Sequence, residues 1–305
     1  MDPFIPELAL RKSLLAAGFS DDELRRMCST RLLTAIRPGA YVRSGDERLL
    51  DRVARHGLCV RAAMHQIGCD AVASHASAAV LHGLPVWSVP LDLVHVTRNQ
   101  RSGGRRSRLL HLHAAAFAED EVVVVDGIPA TSVARTVVDM ARSTPFEPAV
   151  VLTDASLRHG LTRAELVEAV ERAAHRHGNA AARRVVSFAD GRSESVGESR
   201  SRVALLRAGL PAPTLQWEVI SPTGLLLGRV DFGWPEFRTV GEFDGRVKYG
   251  RLLRAGEEPG DAVFEEKRRE DLIRDEALRV VRWVWDELDR FDVVAARLRR
   301  AFRGP

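Results

Sequence analysis

The residues best placed to do chemistry lie in the last third of the chain. There Gly228 to Gly245 reads Gly-Arg-Val-Asp-Phe-Gly-Trp-Pro-Glu-Phe-Arg-Thr-Val-Gly-Glu-Phe-Asp-Gly. The apolar runs on either side of Pro235 have the pattern of two strands joined by a turn. A hairpin centred between Glu236 and Phe237 sets Asp231 opposite Glu242. Side chains alternate along a strand, so Glu242 and Asp244 share a face. Like charges directly opposed, with Cβ atoms roughly 5 Å apart, repel one another. Three carboxylates gathered in this way either face water or hold a divalent cation.

Such acids need a framework, and the flanking sequence supplies one. Residues 195–208 pattern as a helix and 215–220 as a strand. After the hairpin come a glycine-bearing loop over 250–260, a charged helix over 261–277, an apolar strand over 280–285 and a closing helix over 289–302. The order is α, β, β, β, α, β, α. All ten histidines lie at or before His177, so chemistry in this region runs on carboxylates, lysine, arginine and hydroxyls. Of the 45 basic residues only Lys12, Lys248 and Lys267 are lysine, and two of these three fall near the acids.

The N-terminal stretch has a different purpose. A helix is expected from Pro6 to Ala17, broken by Gly18, and a second over Asp21–Ser29 with Ser20 and Glu23 as a capping box. Leu33 to Val42 reads as strand, Pro-Gly turn and strand. This is the plan of a winged helix-turn-helix over residues 1–46. Arg25 and Arg26 on the second helix, Arg31 after it, and Arg37 and Arg43 on the wing are then candidates to grip double-stranded DNA.

Residues 47–190 read as a middle α/β region. Helices are expected at 48–67, 74–84, 131–142, 148–159 and 163–175, and strands at 91–97, 109–113 and 121–125. Five arginines between Arg98 and Arg108 sit on a Gly-Ser loop, a basic finger suited to phosphate. His75, His82, His95, His111 and His113 are scattered, with no cysteine or acidic cluster beside them, and read as structural rather than as a zinc site. Residues 178–195 read as a linker, which leaves 191–305 as a third domain. The expected class is thus a multi-domain α/β protein.

With 305 residues and 45% hydrophobic content, the chain can bury substantial cores. No apolar run approaches the roughly 20 residues that span a bilayer, so no membrane partner is expected. The N-terminus lacks the basic start and apolar stretch of a secretory signal. Three widely spaced cysteines, Cys28, Cys59 and Cys69, argue against a disulfide framework and fit a reducing cytoplasm.

Two resemblances follow from these motifs. Val230-Asp231-Phe232, Glu242-Phe243-Asp244-Gly245, Glu266 to Asp271 and Val281-Arg-Trp-Val-Trp285, in that order, resemble the restriction-endonuclease-like PD-(D/E)xK superfamily, and within it domains related to very-short-patch-repair endonucleases. The resemblance covers about residues 192–305 and implies a C-terminal endonuclease-like α/β core that cleaves phosphodiester bonds with Mg²⁺. It assigns the metal to Asp231 and Glu242, with Glu198 on the preceding helix completing the shell. The family's lysine, two residues after the second acid, is here Asp244, and Lys267 or Lys248 would stand in for it. The first two-thirds, with Ser74-His-Ala-Ser-Ala-Ala-Val-Leu-His-Gly-Leu84 and Ala134-Arg-Thr-Val-Val-Asp-Met-Ala-Arg142, resembles the AbiE-type antitoxins of type IV toxin–antitoxin systems. That resemblance implies a transcriptional repressor whose partner is a nucleotidyltransferase-type toxin.

Overall fold

A computed structural model describes residues 7–68, 70–245 and 276–304. The chain is a mixed α/β protein that divides into two compact units. The first takes the residues up to Leu152 together with Gly160–Phe188, and the second takes Thr153–His159 with the residues from Ala189 on. The division falls inside one helix, α6 (Phe146–Arg158). Among the described residues, no helix is long and apolar enough to cross a membrane.

The first unit opens with β1 (Ala9–Leu10), α1 (Arg11–Ala16), α2 (Asp21–Ser29), β2 (Leu33–Arg37) and β3 (Ala40–Arg43). The strands form an antiparallel sheet in the order β1-β3-β2. The helix expected from residue 6 starts only at Arg11, because Ala9 and Leu10 pair with Tyr41 and Ala40. That pairing satisfies their backbone groups and buries Ala9 completely. The capping box of α2 is present: Glu23 N–H donates to Ser20 Oγ at 3.2 Å, and Ser20 N–H donates to the Glu23 carboxylate at 2.7 Å.

A six-stranded sheet follows, built from β4 (Ala71–Ala73), β5 (Val94–Arg98), β6 (Arg105–Arg106), β7 (Leu110–Ala114), β8 (Val122–Val125) and β9 (Ile128–Thr131). Its order is β6-β7-β5-β4-β9-β8, with β5/β7 and β4/β9 parallel. Helix α3 (Arg52–Gln66), capped by Asp51, lays Val60 and Ala63 on Ala73, Val94, Val96 and Ala130 of this sheet. Helices α4 (His75–Leu81) and α5 (Val133–Ser143) follow β4 and β9 directly. The expected linker is corrected: residues 179–188 form a helix, α8 (Asn179–Phe188), after α7 (Arg163–Arg172). Ala182, Val185 and Val186 stand three and four residues apart and are buried, which is the spacing of an apolar helix stripe. Gly178, at φ +80°, leads into it, and a Cβ there would stand 3.1 Å from the Arg142 carbonyl carbon and nearer still to its oxygen. Only glycine fits.

The second unit runs α9 (Val196–Arg207), β10 (Thr214–Ile220), β11 (Leu226–Trp234), β12 (Thr239–Asp244), β13 (Arg279–Val284), α10 (Trp285–Leu288) and α11 (Phe291–Arg303). The strands lie in chain order as one sheet: β10, β11 and β12 form an antiparallel meander, and β13 is parallel to β12. Leu205 of α9 and Val294 and Leu298 of α11 pack with Phe232, Trp234 and Trp283. The buried indole N–H of Trp283 is satisfied by a 2.8 Å bond to Ser201 Oγ on α9.

Candidate functional site

Strand pairing puts two of the expected acids, Asp231 and Glu242, in one transverse row. Leu215 pairs with Phe232 and Trp217 with Val230, which leaves Gln216 abreast of Asp231. Phe232 pairs with Gly241, so the next step along the hairpin sets Asp231 abreast of Glu242. Glu242 in turn pairs with Arg282 of β13. Neighbouring strands are roughly 4.8 Å apart, so the row Gln216–Asp231–Glu242–Arg282 crosses all four strands within a few side-chain lengths.

The backbone beside Asp231 is irregular. Gln216 beside it adopts φ +51°, unusual for a residue other than glycine. The two-residue alternation also slips here. Val230 packs with Val219 and Val240, whereas Phe232 packs with Leu215, Trp234 and Trp283. The Asp231 carboxylate turns toward β12, and its Oδ2 accepts the Phe243 backbone N–H at 2.8 Å. The orientation of Asp231 is thereby tied to the backbone of β12.

The other acids are held differently. Glu242 Oε2 accepts from Arg282 Nε at 2.7 Å. Glu198 sits in the first turn of α9 and is buried. Its carboxylate accepts from Ser195 Oγ at 2.8 Å, from Glu194 N–H at 2.8 Å and from Gln216 Nε2 at 2.9 Å. Burial raises its pKa above the usual carboxylate range, opposed by these hydrogen bonds. Gln216 therefore links Glu198 to the strand position beside Asp231. Asp244 ends β12 abreast of Val284 and is half-buried. Lys248 and Lys267 lie outside the described residues.

Around α2, Arg25, Arg26, Arg31 and Arg43 are exposed. Arg31 takes φ +57° where α2 gives way to β2, and Arg43 pairs with Leu33, so these two stand at one end of the small sheet. Arg37 is different. It is half-buried, donates to the Cys59 carbonyl at 3.3 Å, and burial lowers its pKa. The Pro38–Gly39 turn is pinned as well, since Gln66 Nε2 donates to the Pro38 carbonyl at 2.9 Å. The wing tip therefore packs on α3, and Arg37 is removed from the set of surface cations.

A third constellation looks scattered in the sequence and is gathered by the fold. His75 opens α4, His95 is on β5, and His111 and His113 are on β7. His95 is abreast of His111, and Thr97 of His113. His113 stacks on His75 and on His111, with ring centroids 3.9 and 3.8 Å apart. His95 Nδ1 and His113 Nε2 are 3.0 Å apart. Burial is the main cause that lowers all four pKa values, that of His95 to about 4, so the imidazoles are neutral at pH 7. His75, His111 and His113 adjoin a cleft of about 740 Å³ whose wall includes Arg105, Arg106, Arg135, Arg142 and Arg176. Asp139, 1% exposed, accepts from Arg135 Nε at 2.6 Å and from Arg142 at 2.8 Å. The His-x-His spacing on β7 was the one local sign of this cluster. Its third and fourth members arrive from elsewhere in the chain.

No family model matches the chain. The uncharacterized proteins MT2308 and Rv2248 of Mycobacterium tuberculosis (strains CDC 1551 / Oshkosh and ATCC 25618 / H37Rv) are each 40% identical to it over 121 residues, 39% of this chain. That match spans 44% of the length of these curated relatives, under half. Among solved structures, the RV2827C protein from Mycobacterium tuberculosis aligns with a TM-score of 0.40 at 12% identity, over 71% of this chain and 84% of that one.

Proposed function

We propose that this chain binds double-stranded DNA through its N-terminal β1–β3 segment and cleaves phosphodiester bonds at the Asp231–Glu242 row of its second unit. The observation that carries the reading is the transverse row itself, in which the Asp231 carboxylate is held by the Phe243 backbone N–H one strand position from Glu242. Gln216 beside it takes φ +51°, and unusual backbone angles of this kind gather at functional sites. The meander with a parallel fourth strand, entered from a helix carrying Glu198, supports the endonuclease-like core that the motifs resemble. The order β1, α1, α2, β2, β3, with β1 on the far edge of β3, supports a winged helix.

The donor set suits Mg²⁺ in kind, since Asp231, Glu242 and Glu198 offer hard oxygens and no nitrogen or sulfur. Among the described residues these three carboxylates are not gathered within 4.8 Å of one another, so Asp231 and Glu242 are the candidate holders of the ion and Glu198 stands behind them through Gln216. Bound there, Mg²⁺ would neutralise charge on the scissile phosphate and acidify a bound water. The chain's own groups do the rest. Phe243 N–H holds the Asp231 carboxylate, Gln216 holds Glu198, and Arg282 steers Glu242 and brings positive charge to a site where phosphate charge grows. Asp244, in the place of the family's lysine, adds negative charge instead, so Arg282, Lys248 and Lys267 are the candidate cations for that task.

A second reading rests on a specific observation. Glu242 is already ion-paired with Arg282, and Glu198 is spent on its own helix start. Carboxylates engaged in this way suit a non-catalytic domain, and with it a repressor or antitoxin whose partner is a nucleotidyltransferase-type toxin. Supercoiled plasmid separates the two. With Mg²⁺ or Mn²⁺ the first reading expects nicking that Asp231→Asn abolishes. A chain that retards a promoter fragment in a gel, salt-dependently, but nicks nothing obeys the second.

A further inference from the structure

We infer that His75, His95 and His113 form a three-imidazole site for a divalent transition metal of the zinc class, with its fourth position open to the arginine-lined cleft. Each histidine offers one ring nitrogen, and these three atoms lie within 4.8 Å of one another. A tetrahedral ion with metal–nitrogen bonds of about 2.0–2.1 Å needs its ligands roughly 3.3 Å apart. His95 Nδ1 and His113 Nε2, at 3.0 Å, are already close to that separation. The remaining separations are at most 4.8 Å, within about 1.5 Å of that value. All donors are nitrogen, so Mg²⁺ and Ca²⁺ are excluded by chemistry, and Zn²⁺, Co²⁺, Ni²⁺ and Cu²⁺ are suited. The centre is thus distinct from the carboxylate row of the second unit.

Two local features have no purpose in a merely structural cluster. His75 takes φ +50° at the first position of α4, a conformation uncommon for an L-residue other than glycine. Ser74, at the N-cap, makes no cap hydrogen bond, although a serine there commonly stabilises its helix. Its hydroxyl instead lies 3.1 Å from His75 Nδ1 and accepts from Thr97 Oγ1 at 2.8 Å. Ser74 and Thr97 are fully buried. This is the outer hydrogen bond that fixes a ligating imidazole and leaves Nε2 to face the metal. The rest of the scaffold is rigid: β5 and β7 pair in parallel over five positions, from Val94↔Leu110 to Arg98↔Ala114. Beyond the rings, Arg105, Arg106, Arg142 and Arg176 face the same cleft. A cation-lined approach to an open position selects an oxyanion, and inorganic phosphate is its simplest probe.

The test uses the tag-free full chain, stripped with chelator and titrated with Co²⁺ and with Zn²⁺. The inference expects one ion per chain, the intense visible absorption of four-coordinate Co²⁺ without a thiolate band, and a raised melting temperature. His113→Ala should lose about a hundredfold or more in affinity. Ser74→Ala, which keeps every ligand, should lose about 10- to 100-fold. His82→Ala, a histidine bonded to the Thr131 carbonyl outside the cluster, should leave affinity unchanged. Phosphate should shift the Co²⁺ spectrum. Absence of a bound ion, or binding that survives both His113→Ala and Ser74→Ala, overturns the site. A spectrum indifferent to phosphate overturns the open fourth position.

Discussion

Replacing Gly197 by alanine puts the packing behind Asp231 under test. Gly197 lies in the first turn of α9 against the ring of Phe243, the residue whose N–H holds the Asp231 carboxylate. A Cβ at 197 would stand 2.5 Å from Phe243 Cδ1 and nearer still to Cε1 and Cζ, where ordinary contact begins at 3.4 Å. Cδ1 alone would have to retreat by about 0.9 Å, and the nearer Cε1 and Cζ by more. The ring has little room, because Trp285 meets its other side edge-on at 4.9 Å. Overpacking of this kind costs roughly 1–3 kcal/mol, and three ring atoms in conflict put this site at the upper end. Alanine returns about 1 kcal/mol in helix propensity. The net is a loss of about 2 kcal/mol, or roughly 8 °C in the melting temperature of a unit this size. Urea denaturation would measure it. In a Phe243→Leu background, where the ring is gone, Gly197→Ala should cost less than about 0.5 kcal/mol, so the two changes couple. An unchanged or raised stability for Gly197→Ala alone would refute the reasoning. So would strict additivity of the pair.

Other outcomes follow from the same geometry. Asp139→Ala leaves the buried Arg135 and Arg142 guanidinium groups short of a partner, with Glu121 still 3.0 Å from Arg135. It should cost about 3–5 kcal/mol in urea denaturation. His56 bonds the Leu91 carbonyl at 2.9 Å and Ser77 Oγ at 3.0 Å, and chiefly burial holds its pKa below the ordinary 6.5. A base with a depressed folded pKa gives stability that is fully present above pH 6.5 and is lost as pH falls through the folded value. Folding free energy should therefore decline below pH 6.5, and His56→Gln should flatten that slope. Arg25→Ala and Arg26→Ala should each reduce the slope of log K against log salt for duplex DNA by about 0.9 for each phosphate the arginine neutralises. Arg37→Ala, whose side chain faces Cys59, should leave that slope unchanged while lowering stability.

Local sequence already carried the punctuation of this chain. Ser20 with Glu23, Gly18 and Gly83 mark helix ends through backbone geometry and side-chain oxygens that act within a few residues, so α2 and α4 were legible, whereas α3, expected from residue 48, starts at Arg52 after its Asp51 cap. The hairpin register was legible as well, because a turn centred between Glu236 and Phe237 fixes every pair, and Trp234↔Thr239 obeys it. Where reading failed, a distant partner decided. Ala9 and Leu10 became a strand because β3 offers them an edge. The composition of 178–195 suggested a linker, yet Ala182, Val185 and Val186 found a core to bury in.

Chemistry was legible in one site and hidden in the other. Asp231, Glu242 and Asp244 announce themselves because an antiparallel hairpin brings near neighbours in sequence face to face. The tertiary structure alone decided that the side-chain alternation slips beside Asp231, since the slip shows in β10 at Gln216 as well as in β11. It alone gathered His75, His95 and His113. These belong to a helix start and two parallel strands, and parallel pairing joins residues separated by a whole crossover. A sequence displays contacts that short chain segments can make. It conceals those whose closure depends on the rest of the fold.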